Sequence, residues 1–294
     1  MTKISIIILT YNHEKFISQN LEGVFSQVVD ADVELIICDD HSQDHTDSVI
    51  KNIIQNTPSN FEVKYVRQPK NIGATPNFYS ALKMVTGSFV AFCEGDDYWT
   101  DPNKLQTQID FLINNPDYSL CFHTAVNISD DVRINETLFS KVEDREYSAV
   151  EIYKHWIVHT ATVMMRAEVL KSEAKKATLH EPDLQYFDTV LFLAASTLGK
   201  LHGIPKKMSA YRRHQAGLSA GKINFKRDLQ HNKLDETIGK YYGGEIKKLS
   251  NWLIFSRSKI NFNILMKGNR FFAALKFLPW LLRNRIFIYS WMKK

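Results

Sequence analysis

The chain has only three cysteines, Cys38, Cys93 and Cys121, each in or beside an apolar run that reads as strand. An odd number so placed argues against a disulfide framework, and a reducing cytoplasm is the expected compartment. Long hydrophobic runs are missing too. Ile6–Leu9 is too short for a signal-peptide core, and Phe271–Trp291 is interrupted by Lys276, Pro279, Arg283 and Arg285. No segment therefore reaches the roughly 18 apolar residues of a membrane span. No glycine-rich phosphate loop follows the first predicted strand, which runs into Thr10-Tyr11-Asn12. Acid is absent from one end: residues 247–294 carry 11 Lys or Arg and no Asp or Glu. The formal charge of +5 thus conceals a body of 26 basic and 32 acidic side chains joined to a cationic tail.

What is present is a chain of 294 residues, 44% hydrophobic, with enough apolar material for a substantial core. Disorder is excluded as its main state. Over the first 125 residues, β-branched runs alternate with helical patterns, the signature of βαβ units and an α/β fold with a mainly parallel sheet flanked by helices. Ser5–Thr10, Val33–Cys38, Val63–Arg67 and Ser88–Cys93 read as strands. Phe16 to Phe25, Asp47 to Gln55 and Asn77 to Val85 read as the helices between them. Asp101 with Pro102 predicts the start of a further helix, and Tyr118–Val126 a further strand. Ser148 and Glu151 have capping-box spacing; helices follow at about 167–176 and 184–197, then strands at Lys200–Ile204 and Met208–Arg212. Beyond Gly221 the pattern is helical, with breaks expected at Lys267–Asn269 and at Pro279.

Carboxylates gather at the ends of these buried strands, where ligands bind in such sheets. In Glu34-Leu-Ile-Ile-Cys-Asp-Asp-His-Ser-Gln-Asp-His-Thr46, the strand delivers Asp39 and Asp40 to a turn in which Ser42, Asp44 and Thr46 suit helix capping. Adjacent acids repel, so Asp39 and Asp40 need a ligand donor or a nearby cation. In Phe92-Cys-Glu-Gly-Asp-Asp-Tyr-Trp99, three carboxylates fall within four residues, an oxygen-rich group suited to Mg²⁺ or Mn²⁺. Gly95 would let backbone approach a ligand closely.

In order along the chain, ISIIILTYN, ELIICDDHSQDHT, KNIG at residues 70–73 and FCEGDDYW resemble the nucleotide-sugar-dependent, inverting glycosyltransferases of family 2, which have the GT-A fold. The resemblance spans roughly residues 1–220. It implies a catalytic domain over 1–221, with a nucleotide-binding half (1–125) and an acceptor-side half (126–221), and a basic, aromatic-rich helical tail over 222–294. By resemblance, Thr10, Tyr11 and Asp40 surround the nucleotide base, Asp96 faces the ribose, Asp97 holds the divalent ion, and Glu94 takes the leading acidic position of the motif. Lys70, Asn71 and Gly73 match a loop near the nucleotide; a plain turn with glycine at positive φ is the competing reading.

Sugar transfer also needs a base to deprotonate the acceptor hydroxyl. In Pro182-Asp-Leu-Gln-Tyr-Phe-Asp-Thr-Val-Leu-Phe-Leu193, Asp188 opens an apolar helix and matches the family's catalytic acid, whereas Asp183 suits a cap. In Tyr211-Arg-Arg-His214, either Arg213 or His214 is expected to reach the diphosphate, or His214 to complete the metal shell. His159 matches a family segment on the acceptor side.

Residues 247–294 interleave their positive charges with 10 aromatic residues. An anionic bilayer surface suits this composition, and the alternative is a helical hairpin packed on the protein or on a second copy. Nucleic acid is excluded, because the tail is too apolar and has no recognisable binding module. The expected activity is transfer from a UDP-sugar to a glycan or lipid-linked acceptor, in the cytoplasm against the membrane's inner face. The rival readings are a sugar nucleotidyltransferase, disfavoured by the missing glycine-rich loop, and a non-catalytic partner subunit.

Overall fold

The computed structural model describes residues 2–129, 137–172, 187–214, 217 and 224–283. Contacts divide the chain into two compact units, residues 1–175 with 191–220 and residues 176–190 with 221–294.

One ten-stranded sheet carries the first unit. Its parallel half consists of β1 (Lys3–Thr10), β2 (Asp32–Asp39), β3 (Phe61–Arg67) and β4 (Phe89–Phe92), arranged β3-β2-β1-β4. Consecutive Ile6, Ile7 and Ile8 are all buried, which requires both faces of the central strand to be covered. The intervening segments contain α1 (Ile17–Phe25), α2 (Thr46–Ile53) and α3 (Ala74–Leu82).

The other half is mixed. It comprises β5 (Tyr98–Trp99), β6 (Tyr118–Ser129), β7 (Thr137–Leu138), β8 (Arg145–Tyr147), β9 (Met164–Arg166) and β10 (Lys200–Arg213). They continue the sheet as β4-β9-β6-β10-β5, with β7 on β6 and β8 on β10. Only the β6–β10 pair is parallel here; the others are antiparallel. The two strands expected at 200–204 and 208–212 are one strand, whose register on β6 shifts between Ile204, Lys207 and Ser209. That irregularity accommodates Pro205, which has no N–H for the ladder.

Helices α4 (Lys104–Asn114), α5 (Ala149–His155) and α6 (Phe187–Ser196) complete the elements before the tail. Helix α4 begins later than the Asp-Pro signal predicts, because Asp101 accepts the Asn103 N–H and closes a turn ahead of the helix. The Ser148–Glu151 capping box is formed at α5. Of the helix expected at 167–176, a 3₁₀ turn at Ala167–Lys171 is observed, and the rest lies mainly outside the described residues.

Lys104, the first residue of α4, is fully buried, and its ammonium has no hydrogen-bond partner among the described residues. Nζ lies 3.9 Å from the centre of the Trp99 ring. Burial lowers its pKa from 10.5 to about 7, with Cys93 and Cys121 opposing the shift. The unfolded chain therefore holds this proton up to about 10.5 and the folded chain only to about 7, so stability rises with pH across that window. Lys104→Met is expected to stabilise the fold at pH 7 by roughly 2–4 kcal/mol and to flatten that rise. Thermal unfolding of both proteins at pH 7 and 10 checks it; equal midpoints at pH 7 would refute it.

In the second unit, α7 (Phe225–Tyr242) and α8 (Gly244–Lys267) form an antiparallel hairpin. Arg257 pairs with Asp235 at 2.8 Å, and Asn261 donates to Asp228 at 2.9 Å. The sequence pattern runs on through residues 243–244, yet the chain turns there, with Gly243 at φ 65 and Gly244 at φ 45. Helices α9 (Phe271–Leu275) and α10 (Leu278–Arg283) follow the expected break after Lys267. Pro279 lies in the first turn of α10, where its missing N–H is not needed. Ala274 and Phe277 bury against Leu265, leaving Phe271, Phe272, Leu275 and Leu282 exposed. Among the described residues, no helix is long and apolar enough to cross a membrane.

Candidate active site

Loops at the carboxyl ends of β1, β2 and β4 meet on one edge of the sheet. The polar residues after β2 fasten the loop after β1. Ser42 Oγ accepts the Asn12 N–H at 2.9 Å, Thr46 Oγ1 the His13 N–H at 2.8 Å, and Asp44 the Glu14 N–H at 3.1 Å. Asn12 Oδ1 in return accepts the Gln43 N–H at 2.7 Å, and Asn12 adopts a positive φ of 57. The expected capping role is not what is found: the N-cap of α2 is His45, with no side-chain cap bond, and Asp44 accepts the Thr46 N–H and hydroxyl.

The two adjacent acids have different surroundings. Asp39 is fully buried, accepts the Ser42 N–H and hydroxyl, and has Arg67 Nε at 3.5 Å, which is the cation that its position requires. Asp40 accepts the N–H groups of Ile72 and Gly73 at 2.7 and 2.8 Å. It therefore shapes the loop of Lys70 and Asn71, both exposed, and Gly73 enters α3 at φ 91. Burial raises the Asp40 pKa, opposed by these two N–H bonds. Each of its oxygens keeps a lone pair for a further donor. Thr10 is buried beside His13, and Tyr11 is exposed.

The acidic turn after β4 is clamped from below. Asn20 donates to the carbonyls of Glu94 and Asp97 at 2.8 and 2.9 Å. A Cβ on Gly95 would stand 2.8 Å from Thr10 Oγ1 and from His13 Nδ1, so this glycine admits the first loop rather than a ligand. From the end of β10, the Arg212 N–H donates to Asp97 Oδ1 at 2.8 Å and Arg212 Nε to the Asp96 carbonyl at 3.0 Å. His214 Nε2 lies 2.9 Å from Asp96 Oδ2, with His13 Nε2 at 3.8 Å. Burial disfavours the Asp96 anion, but the hydrogen bond from His214 and the charge of His13 outweigh it and hold its pKa down. Burial, then the charges of Asp96 and Glu94, push Asp97 well above the usual carboxylate range.

Glu94, Asp97 and His159 each offer a ligand atom within 4.8 Å of the others. His159 is held near pKa 4 by burial and is neutral at pH 7. Its Nδ1 accepts the Ala161 N–H, so its proton sits on Nε2, which faces Asp97 Oδ2 at 3.5 Å. In this state Nε2 carries a proton and offers no lone pair to a cation. Two carboxylates remain, the donor set with which a hard divalent ion binds a substrate phosphate. A cation there would relieve the repulsion that raises Asp97.

Arg213 is exposed at the end of β10. Asp188 opens α6, accepts the Thr189 N–H at 2.8 Å, and belongs to the unit that includes residues 176–190; Asp183 lies outside the described residues. Sequence reasoning passed over His13, Asn20 and Arg212. Strand alternation was the available signal for Arg212, since along β10 residues 211 and 213 share one face and 212 lies on the other.

Residues 5–173 match the sequence profile of glycosyl transferase family 2. The chain belongs to that family. An uncharacterised protein of Mycobacterium bovis is 30% identical over 214 residues, covering 73% of this chain and 60% of that protein. The chain thus spans about three fifths of the length of that relative. WfaP of Escherichia coli, a UDP-Glc:alpha-D-GlcNAc-diphosphoundecaprenol beta-1,3-glucosyltransferase, is 28% identical over 242 residues, 81% of this chain and 88% of its own. Among solved structures, S. aureus TarS with UDP-GlcNAc matches with a TM-score of 0.67 at 17% identity, over 96% of this chain and 79% of that one. A mannosyltransferase from Pyrobaculum calidifontis with GDP-Man and Mn²⁺ matches at 0.60 and 15%, over 96% and 75%. The chain therefore has the GT-A fold, followed by a helical C-terminal region.

Proposed function

We propose that the protein transfers a sugar, with inversion, from a UDP-sugar to a hydroxyl of a lipid-linked or glycan acceptor in surface polysaccharide synthesis. The observation that carries this reading is the convergence of three strand-end loops on Glu94, Asp96 and Asp97, backed by Arg212 and His214. The names of WfaP and of the TarS complex support UDP as the nucleotide.

Asp40, Thr10, Tyr11 and the loop of Lys70, Asn71 and Gly73 receive the nucleoside, and Asp96 faces the ribose. Glu94 and Asp97 would hold Mn²⁺ or Mg²⁺, which supplies positive charge to the leaving diphosphate. The acceptor oxygen bonds to the anomeric carbon as the bond to the diphosphate breaks, and its proton passes to Asp188. Arg213 and His214 lie at the end of the strand nearest the diphosphate in this reading. The nucleoside diphosphate then leaves.

The test is release of nucleoside diphosphate from a panel of UDP- and GDP-sugars with Mn²⁺ and a GlcNAc-diphospholipid acceptor. Acceptor-dependent release from a UDP-sugar is expected; no release from any donor by folded protein would overturn the proposal.

The same reading places the protein on the inner membrane face. Exposed Phe271, Phe272, Leu275 and Leu282 are interspersed with Lys267, Arg270, Lys276 and Arg283, and no acid follows Glu245. Full-length protein should pellet with anionic vesicles and stay in solution with neutral ones. Equal pelleting with both would remove this placement.

A further inference from the structure

Beside the acidic turn, away from the nucleotide loops, aromatic rings form a continuous wall that the mechanism above does not use. His159, which faces Asp97, packs on Tyr211 with ring centres 4.4 Å apart and on Phe139 at 5.1 Å. Phe139 also meets Tyr211 edge-on at 5.6 Å and Trp156 at 5.7 Å. The wall therefore runs from His159, beside Asp97, out to Trp156, which is 46% exposed.

Trp156 is held in an unusual way. It ends α5 in the left-handed conformation, φ 45 and ψ 52, which bulky residues rarely adopt. Its N–H donates to the Ile152 carbonyl, and the next residue is pinned by Ser140 Oγ, which donates to the Ile157 carbonyl at 2.6 Å. Glycine or asparagine would relieve the backbone at such a helix end. A large ring kept there and left half in solvent points to a contact outside the core.

We propose that Trp156, backed by Phe139 and Tyr211, stacks on the pyranose ring of the acceptor and places its hydroxyl over the acidic turn. The inference rests on the glycosyl-transfer reading. Sugars present apolar C–H faces that match an aromatic plane, and the outer rings of this wall, Phe139, Tyr211 and Trp156, bring no cation or carboxylate to that face. Sheet order selects the acceptor over the donor. The nucleotide loops follow β1, β2 and β4, whereas Phe139 follows β7, Tyr211 lies on β10 and Trp156 follows α5.

The experiment uses the full chain with a short-chain GlcNAc-diphospholipid as the acceptor probe. Trp156→Ala is expected to raise the acceptor KM, and the dissociation constant measured by titration calorimetry, on the order of tenfold. Donor KM and acceptor-free donor hydrolysis should stay unchanged. Trp156→Phe should recover most of the loss, whereas Trp156→Leu, which keeps apolar bulk without a ring plane, should not. If Trp156→Ala does not fold, the Phe and Leu pair makes the same comparison. Unchanged acceptor affinity in the Ala or Leu protein, a shift in donor KM instead, or no binding of the probe to the wild type would each overturn the inference. Probe binding that depends on Trp156, without transfer from any donor, would overturn the function proposed above and leave the subsite standing.

Discussion

Asp97→Asn is expected to reduce sugar transfer on the order of 10³-fold or more and to remove any gain in thermal stability on adding Mn²⁺. Asparagine can still accept the Arg212 N–H that Asp97 Oδ1 accepts at 2.8 Å, so the turn should keep its shape. What disappears is one of the two anionic oxygens offered to a cation. The metal-free protein should be no less stable than the wild type. Burial and the charges of Asp96 and Glu94 already push the Asp97 pKa up, so the ionised form is disfavoured without a cation. A variant that gains stability without metal while losing activity has surrendered a strained functional group. Melting curves with and without Mn²⁺, alongside turnover, test both parts; a full Mn²⁺ response in the variant would remove Asp97 from cation binding.

Asp188→Asn should lower turnover on the order of 10²–10⁴-fold with UDP affinity nearly unchanged. The carboxylate accepts the Thr189 N–H at the start of α6, and an amide oxygen can do the same. The helix therefore keeps its first turn, while the side chain can no longer take a proton. This separates a base from a cap: with the cap kept the melting point should hold in either case, and only the loss of a base would lower the rate. Retained turnover would take Asp188 out of the mechanism.

Much of the first unit was readable because its information is local. Runs such as Ile6-Ile7-Ile8 have little choice but a strand covered on both faces, and acids ending such runs have to emerge at the sheet edge. What was not readable depends on partners far away in sequence. Asp40 shapes a loop 32 and 33 residues further on, and nothing near Asp40 announces that. Ser42 and Thr46 look like helix caps from their spacing, yet they fasten the loop after β1. Gly95 looked like room for a ligand, and the room is taken by Thr10 and His13. Local pattern also misjudged the tail, where Gly243 and Gly244 interrupt an otherwise helical run.

The latch between Asp97 and the Arg212 N–H spans 115 residues, and the family profile ends at residue 173. A piece cut where the family profile ends would retain all four motif strings and lack both Arg212 and His214. Exchanging nucleotide-binding halves between relatives would meet the same obstacle: the grafted acidic turn would find a foreign strand at its back. For chimeras that change donor preference, the transferable module is therefore discontinuous, joining residues 1–99 to the last residues of β10.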